Sequence, residues 1–244
     1  MFPFLARFGT ELLRVGIKVV RLPLLTLLGS MPAFNFLTDE IKARSCYIAP
    51  MDKGLETREK ILHTAMHMVR ESGLDSLTIG ETARQVGMSK SGVFAHFESR
   101  DALLLKVIEF TAQDFKVHVF DKALQHPRGL ERIHALSRYW LKWSNQPEGS
   151  CPFMSGAFEF DDRPGVIRDA LVKHEKMVHE IWERAARIAV EEKEFRADTD
   201  CKQFAYEVFG NILSFNVYKR LLNDAKASQL YNVSFQNILS TYTR

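Results

Sequence analysis

Beyond residue 57, apolar residues recur three and four positions apart over most of the chain, which is the spacing of helices with one buried face. Ile61, Leu62, Ala65, Met66, Met68 and Val69 predict a first helix over about Thr57 to Glu71, stopped by Gly73. Thr78, with Glu81 three residues on, reads as the N-cap of a short second helix that ends at Gly87. Ser89 caps a third helix over Lys90 to Phe97. Ser99 caps a fourth, with Ala102, Leu103, Leu104, Val107 and Ile108 on its buried side. Leu130, Ile133, Leu136, Tyr139, Trp140 and Trp143 mark another helix, and Gln146 to Pro152 reads as a loop. After the charged turn Asp161 to Gly165 comes the strongest periodicity, from Val166 through Leu171, Met177, Val178 and Trp182 to Ala189. Two more helices are predicted over about Asp200 to Leu222 and Ala227 to Thr241. No stretch alternates as a strand, and no repeat or low-complexity tract interrupts the pattern. The predicted fold class is all-α.

Residues 1–50 follow a different pattern. A dense apolar zone from Leu12 to Leu28 is broken by Lys18, Arg21 and Pro23, and no charge-free run reaches the 18 residues that suggest a membrane span. Leu22 to Leu28 could serve as the short apolar core of a targeting segment, and the mixture of basic and apolar residues would also suit a membrane-surface helix. The preferred reading is an overextended start, with Met51 opening the natural protein just ahead of the first helix.

Charge sharpens this division. The net charge is +3, and residues 1–50 alone hold six basic groups against three acidic ones, so the rest of the chain is close to neutral. A strongly basic field is absent, and any nucleic-acid binding must depend on where a few cations are placed. The cysteines Cys46, Cys151 and Cys201 are odd in number and widely spaced, which fits a reducing cytoplasm better than a disulfide framework or a zinc site.

Two short helices joined by a tight glycine turn form a helix-turn-helix, here residues 78–97. Ala83 is small where the helices would cross, and Gly87 can take positive φ in the turn. At about 100° per residue, Val93 and Phe97 define the buried side of the third helix. Ser91, Gly92 and Ala95 lie opposite, small enough to let the backbone approach base edges, with Lys90, Phe94 and His96 on the flanks. Lys90 and Ser91 are the candidates for reading sequence, and His96 and Arg100 for meeting phosphates. The same geometry also occurs as a plain three-helix packing unit with a solvated face.

The run Ser89-Lys-Ser-Gly-Val-Phe-Ala-His-Phe-Glu-Ser-Arg-Asp-Ala-Leu-Leu104 resembles the TetR family signature, as do the first helix and the Leu77-Thr78-Ile79 entry. The resemblance covers about residues 54–110. It implies a DNA-binding domain over 54–114 and a helical effector-binding and dimerisation domain over 115–244. It places Thr78, Lys90, Ser91, Gly92, Phe94, Ala95 and His96 at DNA, with Arg100 at the backbone. The family usually has Tyr where this chain has Phe94, so a hydroxyl contact to phosphate is missing there. The expected partners are a double-stranded DNA operator, a second copy of the chain, and an unidentified small-molecule effector that releases the repressor. A membrane partner, a cofactor and a metal are not expected.

Gly149 to Gly165 resembles one branch of these regulatory domains. Trp140, Trp143, Phe153, Met154, Phe158 and Trp182 are the candidate effector pocket, although aromatic and Met residues at helical spacing also simply fill cores. Phe204, Val208, Phe209, Ile212, Phe215, Leu230, Phe235 and Ile238 are the expected dimer bundle. His63 and His67 have metal-ligand spacing but no evident third ligand, Cys151 reads as an inert thiol, and Glu159, Asp161 and Asp162 as part of a charged turn. No enzyme motif is present. The alternatives are a membrane-tethered adaptor and a helical enzyme without a recognisable motif.

Overall fold

The structure, a computed structural model, describes residues 53–146, 149 and 151–244. The expected extension over 1–50 and the Met51 start lie outside the described residues, and so does the adaptor reading built on them. Lys53 to Arg244 form one compact unit.

Among the described residues the chain is helical throughout: α1 Lys53–Ser72, α2 Ile79–Val86, α3 Lys90–His96, α4 Arg100–Phe115, α5 Leu130–Ser144, α6 Pro152–Phe160, α7 Val166–Glu191, α8 Cys201–Asn216 and α9 Ala227–Tyr242. An isolated bridge between Phe195 and Thr243 is the only extended pairing among them. None of these helices is long and apolar enough to cross a membrane.

α4 passes without a break into a π turn, Lys116–Phe120, and a last helical turn, Asp121–Ala123. The boundary expected at residue 114 therefore falls inside a continuous helix, and the two halves of the chain share an element. The apolar spacing predicts no helix over α6, which begins at Pro152, the last residue of the expected loop. Pro152 occupies the first turn of this helix, where a missing N–H costs nothing, and Phe153, Met154, Gly156 and Phe160 face inward.

α7 is the spine, packing on α4, α5, α6 and α8. Its inward residues Leu171, His174, Val178, Trp182, Ala185 and Ala189 are buried, as the helical period predicts. Around them the rings form a continuous cluster. Trp140 stacks on Trp182 at 5.9 Å between centroids, and Phe115 meets Trp140 and Trp143 edge-on at 5.1 Å each. His174 stacks on Phe153 and turns an edge to Phe115. Each large apolar side chain buried here contributes about 1.5–3 kcal/mol.

At the far end, Phe195, Phe204 and Tyr242 pack against one another, and the Arg196 N–H donates to the Tyr242 carbonyl at 2.8 Å. The end of α9 thereby pins the α7–α8 connection.

Candidate nucleic-acid interface

The helix-turn-helix is built by local caps. Thr78 Oγ1 accepts from the Glu81 N–H at 3.1 Å and starts α2. The reciprocal half of a capping box is not made, because the Glu81 carboxylate is bound to Arg84 and Gln85. The Arg84 hydrogen bond, helped by Gln85, pulls the Glu81 carboxyl down to about 2. Gly87 ends α2 in the left-handed conformation at φ 74°. Ser89 Oγ accepts from the Gly92 N–H, and Ser99 Oγ from the Ala102 N–H, each at 3.0 Å.

α3 has only seven residues, too few to be stable alone, so packing must hold it. Val93 and Phe97 are buried under it, and Thr82 and Ala83 are buried on α2, which packs against it. Arg58 of α1 clasps its C-terminal end: the guanidinium donates to the His96 carbonyl at 3.0 Å and lies 4.6 Å above the Phe97 ring. The wheel could not show this clasp, since Arg58 is 38 residues away in sequence.

On the outward side, Lys90, Ser91, Phe94 and Ala95 are exposed, while Gly92 and His96 are half-buried. Phe94 is 55% exposed, a large apolar ring held in water on a helix that otherwise presents small residues. The Lys90 side chain runs back over Gly80, where a Cβ would lie 3.0 Å from its Cε. Lys90 has no ion-pair partner among the described residues, whereas the neighbouring Arg84 is paired to Glu81.

Arg100, expected to meet a phosphate, is engaged within the protein. Its Nε donates to the Leu77 carbonyl at 2.7 Å, and its Nη2 to both the Asp75 carbonyl and carboxylate, at 2.9 and 3.0 Å. Asp75 is also bound by Arg163 at 2.8 Å, and its N–H donates to Glu159 at 2.7 Å. Arg163, and after it Arg100, hold the Asp75 carboxyl below the usual carboxylate range. The charged turn after α6 is thus a joint to the α1–α2 loop, and Arg100 braces that joint.

Of the six candidate effector residues, Trp140, Trp143, Phe153, Met154 and Trp182 are buried in or beside the ring cluster. Phe158 is not with them. It is 70% exposed, because α6 turns it about 200° from Phe160 and Gly156, which face the core. The indole nitrogens of Trp140 and Trp182 and both nitrogens of His174 are out of water without a hydrogen-bond partner. Cys151 is buried, and its thiol is pushed up to about 11, consistent with an inert thiol. No group of three or more metal-ligating side chains is assembled among the described residues.

Burial divides the expected dimer residues. Phe204, Val208, Ile212, Phe215 and Phe235 are buried within the protomer. Phe209 and Ile238 are half-buried, and Leu230 stays in water together with other apolar side chains of α8, the π turn Val217–Leu221 that follows it, and α9, among them Tyr206, Tyr218, Leu221 and Val233.

Comparison with known proteins agrees with this geometry. A family model described as "Bacterial regulatory proteins, tetR family" matches residues 61–107, and one described as "Tetracyclin repressor-like, C-terminal domain" matches residues 129–234. The uncharacterized HTH-type transcriptional regulator YerO of Bacillus subtilis is 36% identical over 55 residues, which is 22% of this chain and 19% of that one. The chain thus matches well under two thirds of that relative's length. Among solved structures, a TetR transcriptional regulator from Chloroflexus aurantiacus superposes with a TM-score of 0.69 at 21% identity, covering 78% of this chain and 96% of that one. AibR in complex with isovaleryl coenzyme A and operator DNA superposes with a TM-score of 0.60 at 19% identity, covering 76% and 97%. At these identities the structures share the fold. With both halves matched by models of one family, and a capped helix-turn-helix carrying the signature, the chain belongs to the TetR family of transcriptional regulators.

Proposed function

We propose that this regulator is a cytoplasmic, dimeric repressor that holds an operator through α3 and is released by a small molecule. The observation that carries the DNA reading is the outward face of α3. A helix held rigid by Val93, Phe97 and Arg58 presents an unpaired Lys90, two small residues and an exposed Phe94, which suits close approach to a major groove. Lys90 and Ser91 would read base edges, Thr78 and His96 would meet phosphates, and Phe94 would rest on sugar. Arg100 would act from behind, by fixing the loop ahead of α2.

The exposed apolar side chains of α8 and α9 support a two-fold dimer, in which a second copy would cover them. Such a dimer would set two recognition helices about one DNA turn, roughly 34 Å, apart. An effector seated among the rings of α5 and α7 would bear on α6, and α6 is tied to the α1–α2 loop through Glu159, Asp75 and Arg163. Release requires that the effector bind the separated state more tightly than the DNA-bound one. AibR, which shares the fold, is known in complex with both an acyl coenzyme A and operator DNA. Membership of a regulator family also sets aside the enzyme alternative.

A footprint of the full chain on its gene's own upstream region, at controlled salt, tests the reading. A protected palindrome is expected, and no protection by folded protein at any salt would overturn it. Lys90→Ala should weaken operator binding by about 1–3 kcal/mol while leaving the dimer intact, and unchanged binding would remove Lys90 from the groove. Phe94→Tyr should preserve or tighten binding, since the added hydroxyl can reach a phosphate. A large loss in the same assay would mean that the ring's size is limiting.

A further inference from the structure

A cleft of about 480 Å³ opens between α1, the α4 helix with its π turn, and α5. It lies to one side of the ring cluster, and one of its walls belongs to the helix that carries Arg58. Its lining is cationic. Arg70 comes from α1, Lys122 from the last turn of the α4 helix and Lys142 from α5, accompanied by three histidines, with Asp114 as the one carboxylate.

Asp114 cannot balance these charges. It already accepts from the Trp143 indole at 2.6 Å and holds His118 at 2.9 Å, which leaves Arg70 a distant 3.8 Å contact. Arg70 is 5% exposed, and its Nη1 is out of water with no acceptor. Its guanidinium lies over the Trp143 ring at 4.7 Å, which helps hold the charge but supplies no acceptor. A buried guanidinium left short of countercharge is costly, and an oxyanion in the cleft would place beside it the negative charge that Asp114 does not supply. Lys122 and Lys142 have no ion-pair partner among the described residues, so both are available to the same anion.

The rest of the lining is Gln146 with Met66, Tyr139 and Trp143, the last three offering a surface for a flat hydrocarbon body. The volume falls within the range of small-molecule sites. A π turn, which commonly marks functional positions in helices, supplies His118 to the wall.

From this geometry we propose that the cleft is a binding site for an amphipathic organic anion, its carboxylate or phosphate held by Arg70, Lys122 and Lys142 and its apolar body on Tyr139 and Trp143. The site adjoins the ring cluster and shares Trp143 with it, but Trp140 and Trp182 do not line it. Because it joins α1 to α4 and α5, an occupant bears on the helix-turn-helix and on the body at once. That consequence for DNA rests on the regulator reading; the site itself does not.

The test is calorimetric titration of the full chain with 1-naphthoate, naphthyl phosphate and the uncharged 1-naphthamide, without DNA. Both anions should bind in the roughly millimolar range or tighter, and the amide at least about tenfold more weakly. Lys142→Gln, an exposed change that leaves the core intact, should weaken anion binding about tenfold and reduce its salt dependence. Trp182→Phe, in the ring cluster, should leave it unchanged. Failure of both anions to bind, equal binding of the amide, or equal binding by Lys122→Gln/Lys142→Gln would overturn the site. A relative preference for naphthoate or naphthyl phosphate decides between a carboxylate and a phosphate source. Adding naphthoate to the footprint then reads the coupling, and a chain that protects no DNA yet binds the anion would sink the regulator reading alone.

Discussion

Phe97→Ala is expected to cost about 3–5 kcal/mol of stability and to abolish operator binding even where the rest of the chain stays folded. Phe97 is 2% exposed, and its N–H closes α3 on the Val93 carbonyl at 3.0 Å. Its ring is also the surface on which the Arg58 guanidinium rests while donating to the His96 carbonyl. Removing the ring leaves a cavity under a seven-residue helix and loosens its clasp in the same step. In a chain of this size the loss corresponds to a fall in midpoint of roughly 10 °C, read by circular dichroism. Phe97→Leu, which keeps most of the volume, should lose less than half as much. An unchanged melt for the alanine variant would mean that α3 is held by something other than Phe97.

Acid should act on the chain through His174, and Glu175 beside it should hide the effect. Burial lowers His174 to about 3, from an ordinary 6.5. The fold therefore keeps the ring neutral while the unfolded chain takes up a proton below pH 6.5. Stability contributed by the neutral ring is complete above that pH and is lost as pH falls toward 3, at about 1.4 kcal/mol per pH unit. Burial raises Glu175 to about 7 from 4.5, which gives the opposite slope. The unfolded chain ionises from 4.5 upward while the fold retains its proton, so stability is lost as pH rises toward 7.

Between pH 4.5 and 6.5 the two contributions oppose each other, and the unaltered chain should show a shallow profile. Glu175 has one carboxylate oxygen out of water, but the residue as a whole is only half-buried, so its slope is the weaker of the two. Glu175→Gln should uncover the histidine, giving a loss of about 2–3 kcal/mol from pH 6.5 to 4.5. His174→Leu should reverse the trend and make the chain more stable at pH 5 than at pH 7. Both nitrogens of His174 lack partners, so exchanging it for a hydrocarbon removes a cost and leaves no orphaned group. Denaturant titrations at intervals across this range measure both slopes, and identical profiles for the two variants would refute the assignment.

The helix-turn-helix could be read from the chain because its determinants are local. A hydroxyl at Thr78, Ser89 or Ser99 reaches an N–H three residues on, and Gly87 takes its left-handed turn, whatever the rest of the molecule does. The helical period likewise placed Val93 and Phe97 inside and Ser91 and Ala95 outside. Two features within the same motif depended on partners far away in sequence. Arg58 closes α3 from 38 residues away, and Arg100 reaches back 23 and 25 residues to Leu77 and Asp75. Spacing along one helix carries no information about either.

The second half was less legible for the same reason. α8 and α9 are apolar on more than one side, so periodicity predicted the helices but could not say which face the protomer keeps and which it leaves for a partner. Phe204 and Phe235 went inward, and Leu221 and Val233 stayed in water. α6 was hidden between Pro, Gly and acidic residues, and with it the reason Phe158 points outward. Sequence by itself determined the all-helical fold, the caps and turn of the DNA-binding motif, and the family, since each follows from residues a few positions apart. Tertiary structure decided the joint of Asp75 with Arg100 and Arg163, the exposed face of α8 and α9, and the cationic cleft around Arg70. Each of these is a meeting of separate helices, set by how side chains fill a shared core rather than by the period of any one helix.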